Sequence, residues 1–227
     1  SLSFFDNMVD VYRKDLRDML AKYYNCTNHK EKKELRTNII NNVKKQLAEQ
    51  RINANFGDLD LSGNNQFFLW HTWFYDVFSH GGFDIVIANP PYVNISNIKP
   101  DSYRNDLQSR YYSSRNKSDL YSFFIERGFC LLNKEGVQSF IVPHTWKATD
   151  SFKNLREIIF MRHSLRLIVN QKMGVFDAIV NPMIIMLDNQ YKDKYDIDVY
   201  DGIGKFKYKI DIDEIRNSDT LSVDSES

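Results

Sequence analysis

The residues best suited to chemistry in this chain are four in a row, Asn89-Pro90-Pro91-Tyr92. An aromatic amine is a poor nucleophile because its lone pair is delocalised into the ring. Two acceptors aimed at its hydrogens draw the nitrogen towards tetrahedral geometry and localise that pair. The side-chain oxygen of Asn89 is one such acceptor, and the carbonyl of Pro90 is the other. Both prolines have a fixed φ and no N–H, so the loop is stiff and offers acceptors without competing donors. Methyl transfer to such an amine then needs mainly alignment, which positioning supplies. Tyr92 adds an aromatic face for a base turned out of a duplex. A given tetrapeptide arises by chance in a chain of this size with a probability on the order of one in a thousand. The structural alternative is a rigid loop whose Tyr92 plugs the core.

Such a loop has to be held by the elements around it. FDIVIAN (83–89) is a short apolar run with β-branched residues, bounded by Gly81-Gly82 and Pro90-Pro91, and it reads as a buried strand. Leu120, Phe123, Phe124 and Leu131 share one helical face, with Ser118 placed to cap its start. GVQSFIVP (136–143) is the next strand, and Phe152, Leu155 and Ile159 mark another helix, capped by Thr149 or Asp150. LRLIVN (165–170) and AIVNPMIIMLD (178–188) are two further strands, and residues 195–212 alternate like a small hairpin. Strands alternating with helices imply a parallel, doubly wound α/β sheet, in which ligands sit at the carboxyl ends of the strands. The loop after FDIVIAN is at such an end.

Upstream, Phe5, Met8, Tyr12, Leu16, Met19, Leu20 and Tyr23 recur at helical spacing, as do Leu35, Ile39, Val43 and Leu47. They predict a helical hairpin over 1–55, with Thr27 and Asn28 as capping residues between its arms. The Gly-, Asn- and Asp-rich stretch after Arg51 marks a boundary, so 56–215 forms the α/β domain and 216–227 reads as a disordered tail.

Bulk properties narrow little. The 227 residues carry 30 Lys and Arg against 30 Asp and Glu, so net charge is silent about partners. Locally the balance shifts: residues 97–117 hold five basic against two acidic residues, interleaved with tyrosines, while the last forty are acidic. A stretch that mixes Arg, Lys and Tyr suits a nucleic-acid surface, and it also suits an ordinary solvated loop. Cys26 and Cys130 lack metal spacing and read as reduced thiols of a cytoplasmic protein. No apolar run approaches the roughly 20 residues of a membrane span. The chain starts at Ser1 without an initiator Met, which fits a boundary within a longer protein.

NPPY at the end of this strand resembles the adenine-N6 DNA methyltransferases. LYSFFIERGFCLLNKEGVQSFIVPHTW (120–146) resembles the helix and strand of the TaqI-type enzymes, with Asp119 and Tyr121 on their "NLY" pattern and Asp in place of Asn. Ser151 to Ile159 is similar to their "F..LR" helix, and MGVFDAIVNPMIIML (173–187) to their "GEVF" turn and closing strand. The resemblance spans residues 83–188. The hairpin is similar to an insertion in large type II restriction–modification methylases.

The resemblance implies S-adenosylmethionine as cofactor and double-stranded DNA with a flipped adenine as partner. It assigns catalysis to Asn89, Pro90 and Tyr92, and base stacking to Tyr92 and Phe176. Arg104, Arg110, Arg115 and Lys117 become candidate DNA contacts, Asp119 a residue of the site's rim and Tyr121 a structural one. His144 and Trp146 follow a strand end that could line the cleft. In this family the Gly-rich cofactor loop and its acidic partners precede NPPY, and only the hairpin precedes it here. Asp201-Gly202-Ile203-Gly204 has no helical pattern behind it and reads as a hairpin turn. The expectation is therefore the carboxyl-terminal half of a Rossmann-like methyltransferase domain. Its main cofactor loop lies upstream, with nothing here but Asn89 near the methyl group. The family's fourth to seventh strands lie side by side, so about four strands can still form a continuous half-sheet. Such a fragment is expected to be inactive alone. Protein-glutamine or RNA amine methylation, or a non-catalytic interaction role, are the alternatives.

Overall fold

The computed structural model describes residues 4–49, 70–114, 118–171, 181–218, 221 and 223. They divide into two compact units, Ser1–His80 and Gly81–Ser227.

The first unit is helical. α1 (Phe4–Asn25) and α2 (His29–Glu49) are the helices that the apolar spacing predicts. Leu16 and Leu20, one turn apart on α1, pack with Ile39 and Val43, one turn apart on α2. Asn28 caps α2: its side-chain oxygen accepts from the N–H groups of Lys30 and Glu31. Two short helices, α3 (Trp70–Trp73) and α4 (Tyr75–Ser79), belong to this unit. Composition puts the boundary near residue 55, whereas contacts put it after His80. The reason is Trp73, whose ring sits in the hairpin's core 5.2 Å from that of Tyr23.

The second unit is α/β. Its strands are β1 (Phe83–Ala88), β2 (Leu132–Pro143), β3 (Ser164–Asn170), β4 (Pro182–Asp188), β5 (Asp196–Asp201) and β6 (Phe206–Asp211). With them come α5 (Asp101–Arg110), α6 (Leu120–Leu131), α7 (Lys153–Met161) and α8 (Ile212–Arg216). The strands form one sheet in the order β1-β2-β4-β3-β5-β6. β1 and β2 are parallel, as are β3 and β5; the other neighbours are antiparallel.

The sheet is thus mixed, which corrects the expectation of a parallel one. A parallel return needs a crossover of a dozen or more residues. Residues 171–181 fall short of that, and β4 comes back antiparallel between β2 and β3. The four strands β1, β2, β4 and β3 are contiguous, as the resemblance implies for this Rossmann-like half-sheet, and β5 and β6 extend it.

Register aligns the core. Ala88, Phe140, Ile185, Ile168 and Val199 are partners in succession across five strands. Phe140, Ile185, Ile168 and Val199 are each at most 2% exposed, and Phe140, Ile185 and Ile168 share one core with Tyr121 and Ile125 of α6 and Leu155 and Ile159 of α7. The intervening residues face the other way. Val137, Ile141, Ile184, Met186, Leu167 and Val169 are only half-buried. On β1, Ile85 is 65% and Ile87 77% exposed. FDIVIAN is a strand, but these exposures correct the reading of it as buried; among the described residues β1 bonds only to β2 and lies at the sheet's edge, as expected where a half-sheet lacks its usual neighbour. Its apolar run has the composition of a strand covered on both faces, and the described residues cover mainly one.

Local corrections have local causes. The 97–117 stretch contains α5, although DSYRNDLQSR has almost no apolar periodicity. Ion pairs Asp101–Arg104 and Asp106–Arg110 at one-turn spacing, with an acid in the first turn and a base in the last, support it instead. Ser118 does not cap α6, because its hydroxyl donates to the Ser113 carbonyl; Asp119 holds the N-cap position without capping. Neither Thr149 nor Asp150 caps α7, which starts after Phe152. In the polar tail, Val223 is 1% exposed and its N–H donates to the Lys147 carbonyl. The DGIG segment is the β5–β6 turn, with Gly204 at φ +79°.

Candidate active site

The parallel pairing of β1 and β2 brings their carboxyl ends to the same end of the sheet, with Ala88 opposite Phe140. Asn89 leaves β1 exposed, Pro90 is buried, Pro91 is exposed and Tyr92 is half-buried. The Tyr92 hydroxyl lies 3.0 Å from the Ile141 carbonyl and 3.3 Å from Asn89 Oδ1. One proton is shared between two acceptors, one on β2 and one on the loop itself. Burial pushes the Tyr92 phenol above its ordinary value. The edge of the Tyr92 ring meets Tyr121 at 6.3 Å and 85°. Asn89 Oδ1 has two lone pairs, so it can accept from Tyr92 and still face an incoming amine.

The exit from the loop is tied down more firmly. Asn94 and Asp119 form an antiparallel bridge. The Leu120 N–H donates to the Val93 carbonyl at 2.8 Å, and the Ile95 N–H to the Ser118 carbonyl at 3.1 Å. Asn94 Nδ2 donates to Asp119 Oδ1 at 3.0 Å, while Asn94 Oδ1 accepts from the Ser96 N–H. Asp119 thus ties the loop to the start of α6. Burial raises its carboxyl above the ordinary value, and the Asn94 amide pulls the other way.

Further along, Glu126 of α6 accepts from the N–H groups of Tyr112 and Ser113 at 3.0 and 2.8 Å, and Asn154 donates to the Tyr112 carbonyl. The whole excursion from Asn94 to Ser118 is therefore anchored at both ends.

After β2 the chain turns through His144–Lys147. Arg156 of α7 is fully buried and donates to the Trp146 and Thr149 carbonyls at 2.9 and 2.8 Å. It clamps this turn, and burial lowers its pKa. Arg156 gives little signal in the sequence, because a basic residue between Leu155 and Glu157 looks like a solvated helix position. Glu126 was equally silent. The available signal for Arg156 was its place beside Leu155 in an amphipathic helix.

Asn89, Pro90 and Tyr92 come together at the strand end. Tyr121 is fully buried, stacked on Phe152 at 5.2 Å. Arg104 and Arg110 are each drawn to an aspartate of their own helix, at 3.1 and 2.9 Å. His144 is exposed, but Trp146 is fully buried in the core. Phe176, Arg115 and Lys117 lie outside the described residues. Among the described residues no group of His, Cys, Asp or Glu could hold a metal, and both cysteines are free. None of the described helices is long and apolar enough to cross a membrane.

The Asn89–Tyr92 loop leaves the end of a strand that pairs in parallel, and comparison with known proteins gives the family. Residues 8–176 match the Eco57I restriction-modification methylase family. The chain belongs to that family. A Methanocaldococcus jannaschii protein named as a candidate type II restriction enzyme and methyltransferase is 26% identical over 204 residues, 80% of this chain and 16% of that protein. Modification methylase CviBIII of Paramecium bursaria Chlorella virus NC1A is 26% identical over 149 residues, 64% of this chain and 32% of the methylase. The type II methyltransferase M.PaeR7I of Pseudomonas aeruginosa is 33% identical over 90 residues, 40% of this chain and 16% of that one. The chain thus spans a third or less of these family relatives. Among solved structures, the M protein of the type I restriction enzyme EcoKI aligns at a TM-score of 0.43 and 20% identity, over 56% of this chain and 26% of that one.

Proposed function

We propose that this chain is the catalytic-loop part of a restriction–modification DNA methyltransferase that uses S-adenosylmethionine and modifies the N6 amine of adenine. One observation carries the proposal: a stiff Asn89-Pro90-Pro91-Tyr92 loop at the carboxyl end of β1, in a member of a restriction-modification methylase family.

The chain's own atoms serve the amine. Asn89 Oδ1 and the Pro90 carbonyl accept from its two hydrogens, and the nitrogen lone pair is freed for attack. Tyr92, through its hydroxyl, keeps the Asn89 amide turned towards the substrate. The ring of Tyr92 offers one face of a pocket for the extruded base, with Phe176 as the proposed second face. Arg104, Arg110, Arg115 and Lys117 stay candidate backbone contacts, and the pairing of the first two with Asp101 and Asp106 weakens their share.

S-adenosylmethionine supplies, when bound, an electrophilic methyl group. The described residues fit the amine side of that reaction and not a nucleoside cradle: the Gly202–Gly204 segment turns between two strands and opens no helix. The exposed Ile85 and Ile87 fit further structure packed on that face of β1, and the free edge of β1 fits a further strand, in a complete protein.

The test is methyl transfer by the complete protein from radiolabelled S-adenosylmethionine to duplex DNA, tRNA and release-factor protein in parallel. N6-methyladenine in digested DNA is the expected product. Label in the RNA or protein and none in DNA would sink the reading.

A further inference from the structure

The hairpin carries a second feature that the methyltransferase site does not absorb. A cleft of about 520 Å³ opens where α1 meets α2, lined by Tyr23, Tyr24, His29, Lys32, Lys33 and Arg36. Positions 29, 32, 33 and 36 fall at i, i+3, i+4 and i+7, so one face of α2 presents four nitrogen-bearing side chains in a row. Two of the cations rest on rings. Lys32 Nζ lies 5.0 Å from the Tyr23 ring centroid, and Arg36 Cζ lies 5.5 Å from that of Trp73. A ring face orients a cation without neutralising it. Neither Lys32 nor Lys33 makes an ion pair among the described residues. Glu31 Oε2 lies 3.8 Å from the thiol of Cys26, which also lines the cleft. Tyr24 is 53% exposed, yet its hydroxyl donates to the Trp73 carbonyl at 2.7 Å, so an aromatic face is held open to solvent in a fixed pose.

We infer that this cleft grips the phosphodiester backbone of nucleic acid, independently of sequence and apart from the catalytic loop. Cations at one-turn spacing match successive phosphates, and a fixed exposed ring beside them gives a sugar or base a surface to lie on. Base edges are not read, because Lys and an aromatic face carry no donor–acceptor pattern. The choice of nucleic acid over another polyanion rests on the function proposed above.

The test is binding of the 227-residue chain to a duplex of arbitrary sequence across a salt series, by fluorescence anisotropy. Lys32→Gln with Lys33→Gln should flatten the slope of log K against log salt by about 0.9 for each phosphate that is no longer neutralised. Lys44→Gln with Lys45→Gln removes the same charge from the far end of α2 and should leave the slope nearly unchanged. Without any substitution, DNA should protect Lys32 and Lys33 from acetylation. Equal effects of the two double variants, no binding by the unaltered chain, or no protection would overturn the inference. So would displacement of DNA by inorganic phosphate or ATP at matched ionic strength, which would make the cleft a site for a small anion. Methylation of RNA or protein by the complete enzyme would sink the proposed function while leaving this salt slope as it is.

Discussion

The sheet of the α/β unit has two faces built from similar residues, and the fold treats them differently. One face carries Phe140, Ile185, Ile168 and Val199, each at most 2% exposed, and α6 and α7 pack into one core with the first three. The other carries Ile141, Ile184, Met186 and Val169 half-buried, and ends on β1 with Ile85 and Ile87 open. A strand with one face in water alternates apolar and polar residues; one covered on both reads as a continuous apolar run. IVIA of β1 and PMIIML of β4 are both continuous apolar runs, yet only the second is well covered. Stability is thus concentrated in β2, β3 and β4, while the loop suited to chemistry hangs from a strand with no fully buried residue.

The sharpest way to break that division is Asn89→Ala. In the complete enzyme it should lower turnover by about 10²–10³-fold, the scale on which losing one transition-state hydrogen-bond partner acts. Thermal unfolding of the 227-residue chain should stay where it is, because Asn89 is exposed. Retained turnover would remove Asn89 from its role, and a large fall in melting temperature would make the loop structural.

Paired substitutions on the two strands come next. Ile185→Ala deletes a fully buried side chain and should cost about 2–5 kcal/mol in urea unfolding. Ile87→Ala, at a position 77% exposed, should stay within about 0.5 kcal/mol. Similar losses at both sites would mean that the second face is covered in solution.

The smallest effect belongs to Asp119. Its folded pKa is raised above the ordinary 3.8, chiefly by burial. A carboxyl raised on folding contributes stability that is fully present below the unfolded value and lost as pH rises through the folded one. Asp119→Asn keeps an oxygen to accept from Asn94 and removes the ionisation. The variant should be at least as stable as the parent at neutral pH, with the difference closing as pH falls towards 3.8. A neutral-pH loss in the urea midpoint would instead show that the charge itself is used.

Much of this molecule was legible in its sequence, and unevenly. Strand and helix cores followed from periodicity, because burial is periodic in both. The acceptor loop followed from four adjacent residue types, since two prolines and an asparagine at a strand end leave little conformational choice. α5 was missed because its support is ionic pairing and not an apolar face. Trp146 was misjudged for a related reason: the end of a strand suggests a cleft, but a fully buried indole belongs to the core.

The sequence alone determined that a loop of hydrogen-bond acceptors without competing N–H donors at its prolines leaves an apolar strand, and which helices flank it, because these depend on covalent chemistry and local periodicity. Only the tertiary structure decided that β4 runs antiparallel between β2 and β3, and that Tyr92 reaches the Ile141 carbonyl. It also decided that Asp119 latches Asn94, that Arg156 spans two carbonyls, and that Lys32 and Arg36 lie on rings while Arg104 and Arg110 lie on carboxylates. The physical reason is that a charge or a hydroxyl has no partner until the chain has folded back on itself. Residues as far apart as Tyr92 and Ile141 are brought within hydrogen-bonding reach by sheet register, which composition and spacing do not encode.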